Sequence, residues 1–275
     1  MMIDLLYINW TASPEIIGIG PVSLRWYGLS WALSFLVGQY IMTNIYKQEQ
    51  KPEKEVETLT LYIILGAVFG ARFGHCIFYG YDAALGYNPY FKNPLDMLKV
   101  WEGGMASHGG AFGTLFAMFL FTRKFKETNY LWLADRLSII TLLTGFFIRM
   151  GNLMNSEIVG KQTDVPWAFT FPLNDNGALI PRHPSQLYEA LSCLLLFAIT
   201  YFYYSKTKGA FPNGRIFGFF MFFLFLFRFF YEYLKENQSD FENGMLFNMG
   251  QILSIPLMLI GLFIFIRSFV LKTKA

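Results

Sequence analysis

Three stretches of this chain, residues 26–46, 103–122 and 245–266, contain no aspartate, glutamate, lysine or arginine. A run of about 18 or more such residues is long enough to cross a bilayer as a helix. In lipid only a helix or a closed barrel satisfies its own backbone, and these runs lack the alternation of a barrel strand. Helices follow. The composition agrees: 15% of residues are charged and 54% hydrophobic, whereas soluble domains carry about 25% charged residues. The expected fold is all-α: a polytopic integral membrane protein with seven transmembrane helices and a small head outside the membrane. The spans are expected at residues 26–46, 57–79, 107–122, 131–150, 186–204, 216–234 and 250–269, within a single transmembrane domain over 1–275. The third is short and is expected to begin near Gly103. The head segment is residues 151–185.

The first twenty residues lack a basic stretch and carry Asp4, Pro14 and Glu15 where a signal peptide would be apolar. Cys76 and Cys193 lie in apolar segments without Cys-x-x-Cys spacing, so neither a disulfide framework nor a zinc ribbon is suggested.

The connections between spans alternate in charge. One side holds twelve basic residues: Lys47, Lys51, Lys54, Arg123, Lys124, Lys126, Lys206, Lys208, Arg215, Arg267, Lys272 and Lys274. The other holds six over a longer length: Arg25, Lys92, Lys99, Lys161, Arg182 and Lys235. The richer side is cytoplasmic by the positive-inside rule, which puts the N-terminus outside and the C-terminus in the cytoplasm.

Four arginines, Arg72, Arg136, Arg149 and Arg228, fall within the spans. Arg136 lies near an inner end, where it could snorkel to the interface. The other three lie toward the outer ends. Arginine in a span costs several kcal/mol, so it usually faces a partner or a cavity. Other polar groups reach the same level: "SHGGAFG" brings Ser107, His108 and Gly109, and "PRHPSQLYE" brings His183, Ser185, Gln186, Tyr188 and Glu189. Tyr27 opens the first span, and Glu232 lies one helical turn after Arg228. "RMGNLMNSEIVGK", from Arg149 to Lys161, adds Asn152, Asn155, Glu157 and Gly160. Guanidinium forks match phosphate, and glycine-rich helix starts favour anions. A phospholipid headgroup is the natural ligand at this depth.

Competing readings are weaker. His75, His108 and His183 lack ligand spacing for zinc. Ser107 and Ser185 have no Gly-x-Ser-x-Gly elbow. Gly66, Gly70 and Gly74 have the spacing of a helix-packing face. A transporter would also gather arginines, but it should show paired repeats and broken helices.

The blocks "RWYG", "GARFGHCIFY", "GGMASHGGAFG", "RMGNLMNSEIVGK", "RHPSQLYEA", "RFFYEYLKE" and "MGQILSIPL" resemble the prolipoprotein diacylglyceryl transferases, in that family's order and spacing, from about residue 25 to residue 257. "RMGNLMNSE" resembles the family signature Gly-Arg-x-Gly-Asn-Phe-x-Asn-x-Glu. The resemblance implies an inner-membrane enzyme with its active site toward the periplasm. It would transfer diacylglyceryl from phosphatidylglycerol to the lipobox cysteine of a prolipoprotein signal peptide, with no metal or soluble cofactor and no nucleic-acid partner. It assigns catalytic positions to His108, Arg228 and Tyr27. It assigns substrate binding to Arg149, Asn152, Glu157, Gly160 and Glu232, to which the polar clusters add Asn155, Gly109, Gln186, Tyr188, Glu189 and Arg72. Met150 and Ala106 depart from common family choices. Leu224 stands where members carry a tyrosine, so no role for that hydroxyl is expected here. Either His108 takes the thiol's proton, or the two arginines lower the thiol pKa enough without a base.

Overall fold

The computed structural model describes residues 7–19, 22–82, 85–236 and 245–271. Asp4, Lys272 and Lys274, used in the readings above, lie outside the described residues. The chain divides into two compact units, Met1–Met42 with Asp135–Ala275, and Thr43–Ala134.

The described chain is mostly helical. Its long helices are α1 (Trp26–Gln48), α2 (Lys54–Phe78), α4 (Ser107–Lys124), α5 (Tyr130–Met154), α6 (Ser185–Thr207), α7 (Arg215–Tyr231) and α8 (Met249–Val270), with a short α3 (Pro89–Lys92) between the second and third. Each coincides with an expected span to within a few residues at its ends. Five of them, α2, α5, α6, α7 with its following turn, and α8, are long and apolar enough to cross a membrane. α1 falls below that measure because it carries Ser30, Ser34, Gln39 and Thr43. α4 does so because it opens on Ser107, His108 and two glycines and closes on Arg123 and Lys124.

In the 43–134 unit, α2 and α4 pack through facing glycines. A Cβ on Gly66 would lie 2.5 Å from the carbonyl oxygen of Gly113, and one on Gly74 would lie 2.7 Å from the Cα of Gly109. This is the small-residue face expected of Gly66, Gly70 and Gly74, and Gly109 belongs to it. Arg72, on α2, is buried in the same unit. Its Nη2 donates to the Asp96 carbonyl at 2.9 Å, its Nη1 donates to the Gly103 carbonyl, and it pairs with Glu102 at 3.4 Å. The ring of Tyr90 covers the guanidinium at 5.3 Å. The residue therefore pins the 94–103 segment, which holds two 3₁₀ turns, Pro94–Leu98 and Val100–Glu102.

In the other unit, close approaches again join helices. A Cβ on Gly261 of α8 would lie 2.5 Å from the Phe222 nitrogen of α7, and one on Gly38 of α1 would lie 2.7 Å from Ile140 of α5. Asp135, buried in α5, accepts from the Gly214 and Phe217 amides at 2.7 and 2.8 Å. It thereby caps the start of α7, where backbone N–H groups have no helical partner. Arg136 does not snorkel. It is 1% exposed and lies 3.7 Å from the Asp135 carboxylate, under the ring of Phe211 at 4.9 Å.

The described residues also form five short strands that were not expected from the sequence. β2 (Glu15–Ile19) and β3 (Val22–Arg25) form an antiparallel hairpin leading into α1. β1 (Ile8–Asn9) pairs parallel with β4 (Phe169–Thr170), which pairs antiparallel with β5 (Pro181–Arg182). This small sheet sits over the end of α5. Leu153, Val159, Phe169 and Phe171 form a buried cluster there, and the Trp10 indole donates to the Leu153 carbonyl at 2.9 Å.

Candidate active site

α5 runs one turn further than its apolar stretch suggests, to Met154. Arg149 and Asn152 therefore share a helical face at i, i+3, and the Arg149 Nη1 donates to the Asn152 Oδ1 at 3.3 Å. Past the helix the backbone is strained. Ser156 and Ile158 have φ of 53° and 59°, a left-handed conformation that a β-branched residue rarely adopts. Glu157 lies between them. Its Oε1 accepts from Asn152 at 2.6 Å and Asn155 at 3.3 Å. The first turn of α6 holds the strained segment in place: Ser185 Oγ donates to the Ile158 carbonyl and Gln186 Nε2 to the Glu157 carbonyl, both at 2.7 Å.

Beyond this loop, three chain segments meet. The Gly160 amide donates to the His183 carbonyl at 3.0 Å, and the Lys161 amide to the Leu234 carbonyl at 2.7 Å. A Cβ on Gly160 would lie 2.6 Å from His183 and 2.8 Å from the Leu234 oxygen. This crossing sets Lys235, at the end of the 3₁₀ turn Glu232–Leu234, facing inward.

The result is an ion network. Glu189 of α6 pairs through Oε2 with the Arg149 Nε at 2.6 Å and through Oε1 with Lys235. Glu232 pairs through Oε1 with Lys235 at 3.4 Å and with the Arg228 Nε at 3.7 Å, while its Oε2 accepts from Asn248 at 3.2 Å. Asn248 in turn caps α8 in a reciprocal box with Gln251. Burial grades across the network: side-chain exposure is 4% for Lys235, 5% for Glu232 and 12% for Glu189, but 22% for Arg149 and 37% for Arg228. Both carboxylates take their arginine by the Nε edge. Among the described residues, Nη2 of Arg149 and both Nη atoms of Arg228 carry no hydrogen bond. Two partly exposed guanidinium forks with open donors are what a phosphate oxygen pair fits.

Tyr27 lies beside this site. A Cβ on Gly151, two residues after Arg149, would come within 3.0 Å of the Tyr27 ring. A cavity of about 480 Å³ also opens along α6 and α7, lined by Trp167, His183, Tyr188, Ser192 and Tyr231 and by leucines and Phe227. Tyr188 Oη accepts from the Trp167 indole at 2.8 Å and lies 3.2 Å from the His183 Nδ1. Burial pushes the His183 imidazole below its usual range. Between α5 and α6, Arg182 forks onto Asp175 at 2.8 Å and reaches Glu236 at 2.5 Å. Burial alone would raise the Asp175 carboxyl, but hydrogen bonds from Arg182 and Asn174 outweigh it and hold it below its usual range.

A sequence model of the prolipoprotein diacylglyceryl transferases matches residues 14–267. The chain belongs to this family. Among proteins named phosphatidylglycerol–prolipoprotein diacylglyceryl transferase, it is 44% identical to one from Tolumonas auensis over 259 residues, 94% of this chain and 96% of the relative. It is 41% identical over 262 residues to one from Chloroherpeton thalassium, covering 95% and 94%. A third, from Bacteroides fragilis, is 42% identical over 267 residues and 94% of each chain.

Of the residues singled out in this transferase sequence, the Asp135–Ala275 part and α1 bring together Tyr27, Arg149, Asn152, Asn155, Glu157, Gly160, Gln186, Tyr188, Glu189, Arg228 and Glu232. Arg72, His108 and Gly109 belong to the 43–134 unit, where His108 is the second residue of α4 and is exposed. Lys235 and Asn248 were missed. Lys235 is one basic residue past a span end and carries no local motif. Asn248, three residues before Gln251, is a capping-box signature that could have been found.

Proposed function

We propose that this chain transfers the diacylglyceryl group of phosphatidylglycerol to the lipobox cysteine thiol of a prolipoprotein, in the cytoplasmic membrane of a bacterium. The sulfur forms a bond to the glyceryl carbon that carries the phosphate, the carbon–oxygen bond there breaks, and glycerol phosphate leaves. The chain crosses the membrane seven times as one domain. α1 and α4 complete the five apolar helices, and the head segment and active site face the periplasm.

The observation that carries this reading is the pair of arginines, Arg149 and Arg228, held by their Nε edges with their outer donors open. A phosphate ester leaves readily only when its developing charge is met, and charge-assisted forks in a drier site supply that. Asn152, Asn155, Glu157 and Gln186 hold the loop that follows the helix carrying Arg149, and Gly160 admits the chain crossing beyond it. The ordinary pKa of the thiol is about 8.5; either His108 takes its proton, or the two arginines lower the thiol pKa enough without a base. Tyr27 and Tyr188 shape the substrate's surroundings in this reading.

The test uses purified full-length enzyme in micelles containing phosphatidylglycerol, with a lipobox peptide as acceptor. Wild type should add the mass of one diacylglyceryl unit to the peptide. Arg149→Ala and Arg228→Ala should abolish the shift, and His108→Asn should be severe only if His108 takes the thiol's proton. A peptide that gains no mass under lipid excess would overturn the reading in favour of lipid or peptide transport. Near-normal turnover in Arg228→Ala would remove the leaving-group role.

A further inference from the structure

We infer that Lys235 is a positioning residue that makes this ion network able to accept a phosphodiester. It supplies the positive charge that Arg149 and Arg228 have each already shared with a carboxylate. The inference rests on the phosphatidylglycerol reading and assigns one further residue to it.

The charge balance is simple. Arg149 is offset by Glu189, and Arg228 by Glu232. Without Lys235 the network is neutral, and one phosphodiester would leave it with a net negative charge in a half-buried site. With Lys235 the empty network carries one positive charge and the loaded one is neutral. Glu157 meets Arg149 only through Asn152 and adds the same charge to both states. Uncompensated charge is costly away from water, so with Glu157 counted or not the loaded state that keeps Lys235, one charge less negative, is the favoured one.

The geometry places the lysine behind the arginines. Its Nζ lies between Glu189 Oε1 and Glu232 Oε1, and it is the most buried member of the network. It does not compete for the substrate's oxygens; it draws carboxylate oxygens inward, so the arginine Nη donors stay turned outward. Its backbone is fixed independently, by the bridge from Lys235 to Gly160 and by the Lys161 amide bonded to the Leu234 carbonyl at 2.7 Å. The segment that carries Arg149 and the segment that carries Arg228 are thus joined twice at this residue, once by backbone and once by charge. Glu189 and Glu232, on α6 and at the end of α7, have Lys235 as their shared cation.

The deciding experiment separates charge from packing. Purified full-length enzyme is assayed at saturating lipobox peptide while the mole fraction of phosphatidylglycerol in the micelles is varied. The variants are Lys235→Gln, Lys235→Met and Lys235→Arg. Melting temperatures are taken for each. Lys235→Gln keeps a hydrogen-bonding head but loses the charge, and its KM for the lipid should rise on the order of 10- to 100-fold. Lys235→Arg should stay within about fivefold of wild type, since it keeps the charge. Inhibition by uncharged diacylglycerol should be the same in every variant, because no charge is at stake. A wild-type KM in Lys235→Gln, or an equal weakening of diacylglycerol and phosphatidylglycerol, would overturn the proposal. Should Lys235→Gln fail to fold, Lys235→Met decides alone: a raised KM with unchanged diacylglycerol inhibition supports the charge role, and a wild-type KM refutes it. An inactive wild type would instead overturn the transfer reading itself, which does not depend on Lys235.

Discussion

Gly160→Ala is the most exacting test of how the site is assembled. Gly160 does not have positive φ among the described residues, so alanine is allowed there by its backbone. The obstacle is space. An added Cβ would lie 2.6 Å from both the Cβ and the carbonyl oxygen of His183, and 2.8 Å from the Leu234 oxygen. All of these are fixed atoms rather than the ends of flexible side chains. The segments must part by several tenths of an ångström or more. Overpacking of this kind costs about 1–3 kcal/mol. The crossing hydrogen bonds, Gly160 to His183 at 3.0 Å and Lys161 to Leu234 at 2.7 Å, would weaken at about 1 kcal/mol each. A loss of about 3–5 kcal/mol follows, or roughly 6–20 °C in melting temperature at about 2–4 °C per kcal/mol for a domain somewhat smaller than this one.

Activity should suffer beyond stability, because the displaced segment is the one that carries Lys235 and Glu232. A misplacement near 1 Å is worth about 100-fold in rate. The assay is diacylglyceryl transfer at a temperature well below both melting points, with melting followed by intrinsic tryptophan fluorescence. Gly18→Ala is the control: a Cβ there meets nothing within 4 Å, and both readouts should match wild type. Gly160→Ala with an unchanged melting temperature and transfer within about threefold would refute the argument that close approach is why glycine stands at this position.

Two further outcomes follow from residues outside the ion network. The Asp175 carboxyl is held below its ordinary range by Arg182 against the cost of burial, so it contributes stability above the ordinary carboxylate pKa of about 3.9, and that contribution is lost as pH falls through the lowered value. Amide exchange in residues 171–182 should therefore accelerate below about pH 4, and Asp175→Asn should exchange quickly at neutral pH with little further change on acidification; an unchanged profile would refute the pairing. Arg72→Met should expose residues 94–103 to amide exchange, because Asp96, Glu102 and Gly103 lose their shared partner; loss of lipid transfer with unchanged exchange would show instead that Arg72 serves the substrate.

What the sequence made legible and what it did not divide along the range of the interactions. Helix positions came from long apolar runs, a local property, and α2 and α5 fall at Lys54–Phe78 and Tyr130–Met154 against expected spans 57–79 and 131–150. The extra turn of α5 was missed because Asn152 and Gly151 are weak helix formers; the Tyr27 and Ser30 side chains of α1 pack against that turn at Gly151, a tertiary contact that propensity does not contain. The hairpin at Glu15–Arg25 is too short for alternation to stand out. Arg149 and Arg228 were visible because arginine in an apolar run is conspicuous by itself. Lys235 was not, since a lysine just past a span end looks like any other interfacial cation, and it was counted among the six outer basic residues. Its meaning lies in partners 46 and 75 positions away, Glu189 and Gly160. Charge-counting along a chain ranks residues by where they fall relative to the bilayer; it cannot tell a solvated ammonium from one that is 4% exposed between two carboxylates. In a membrane protein that difference decides which cations orient the chain and which set the charge of the site.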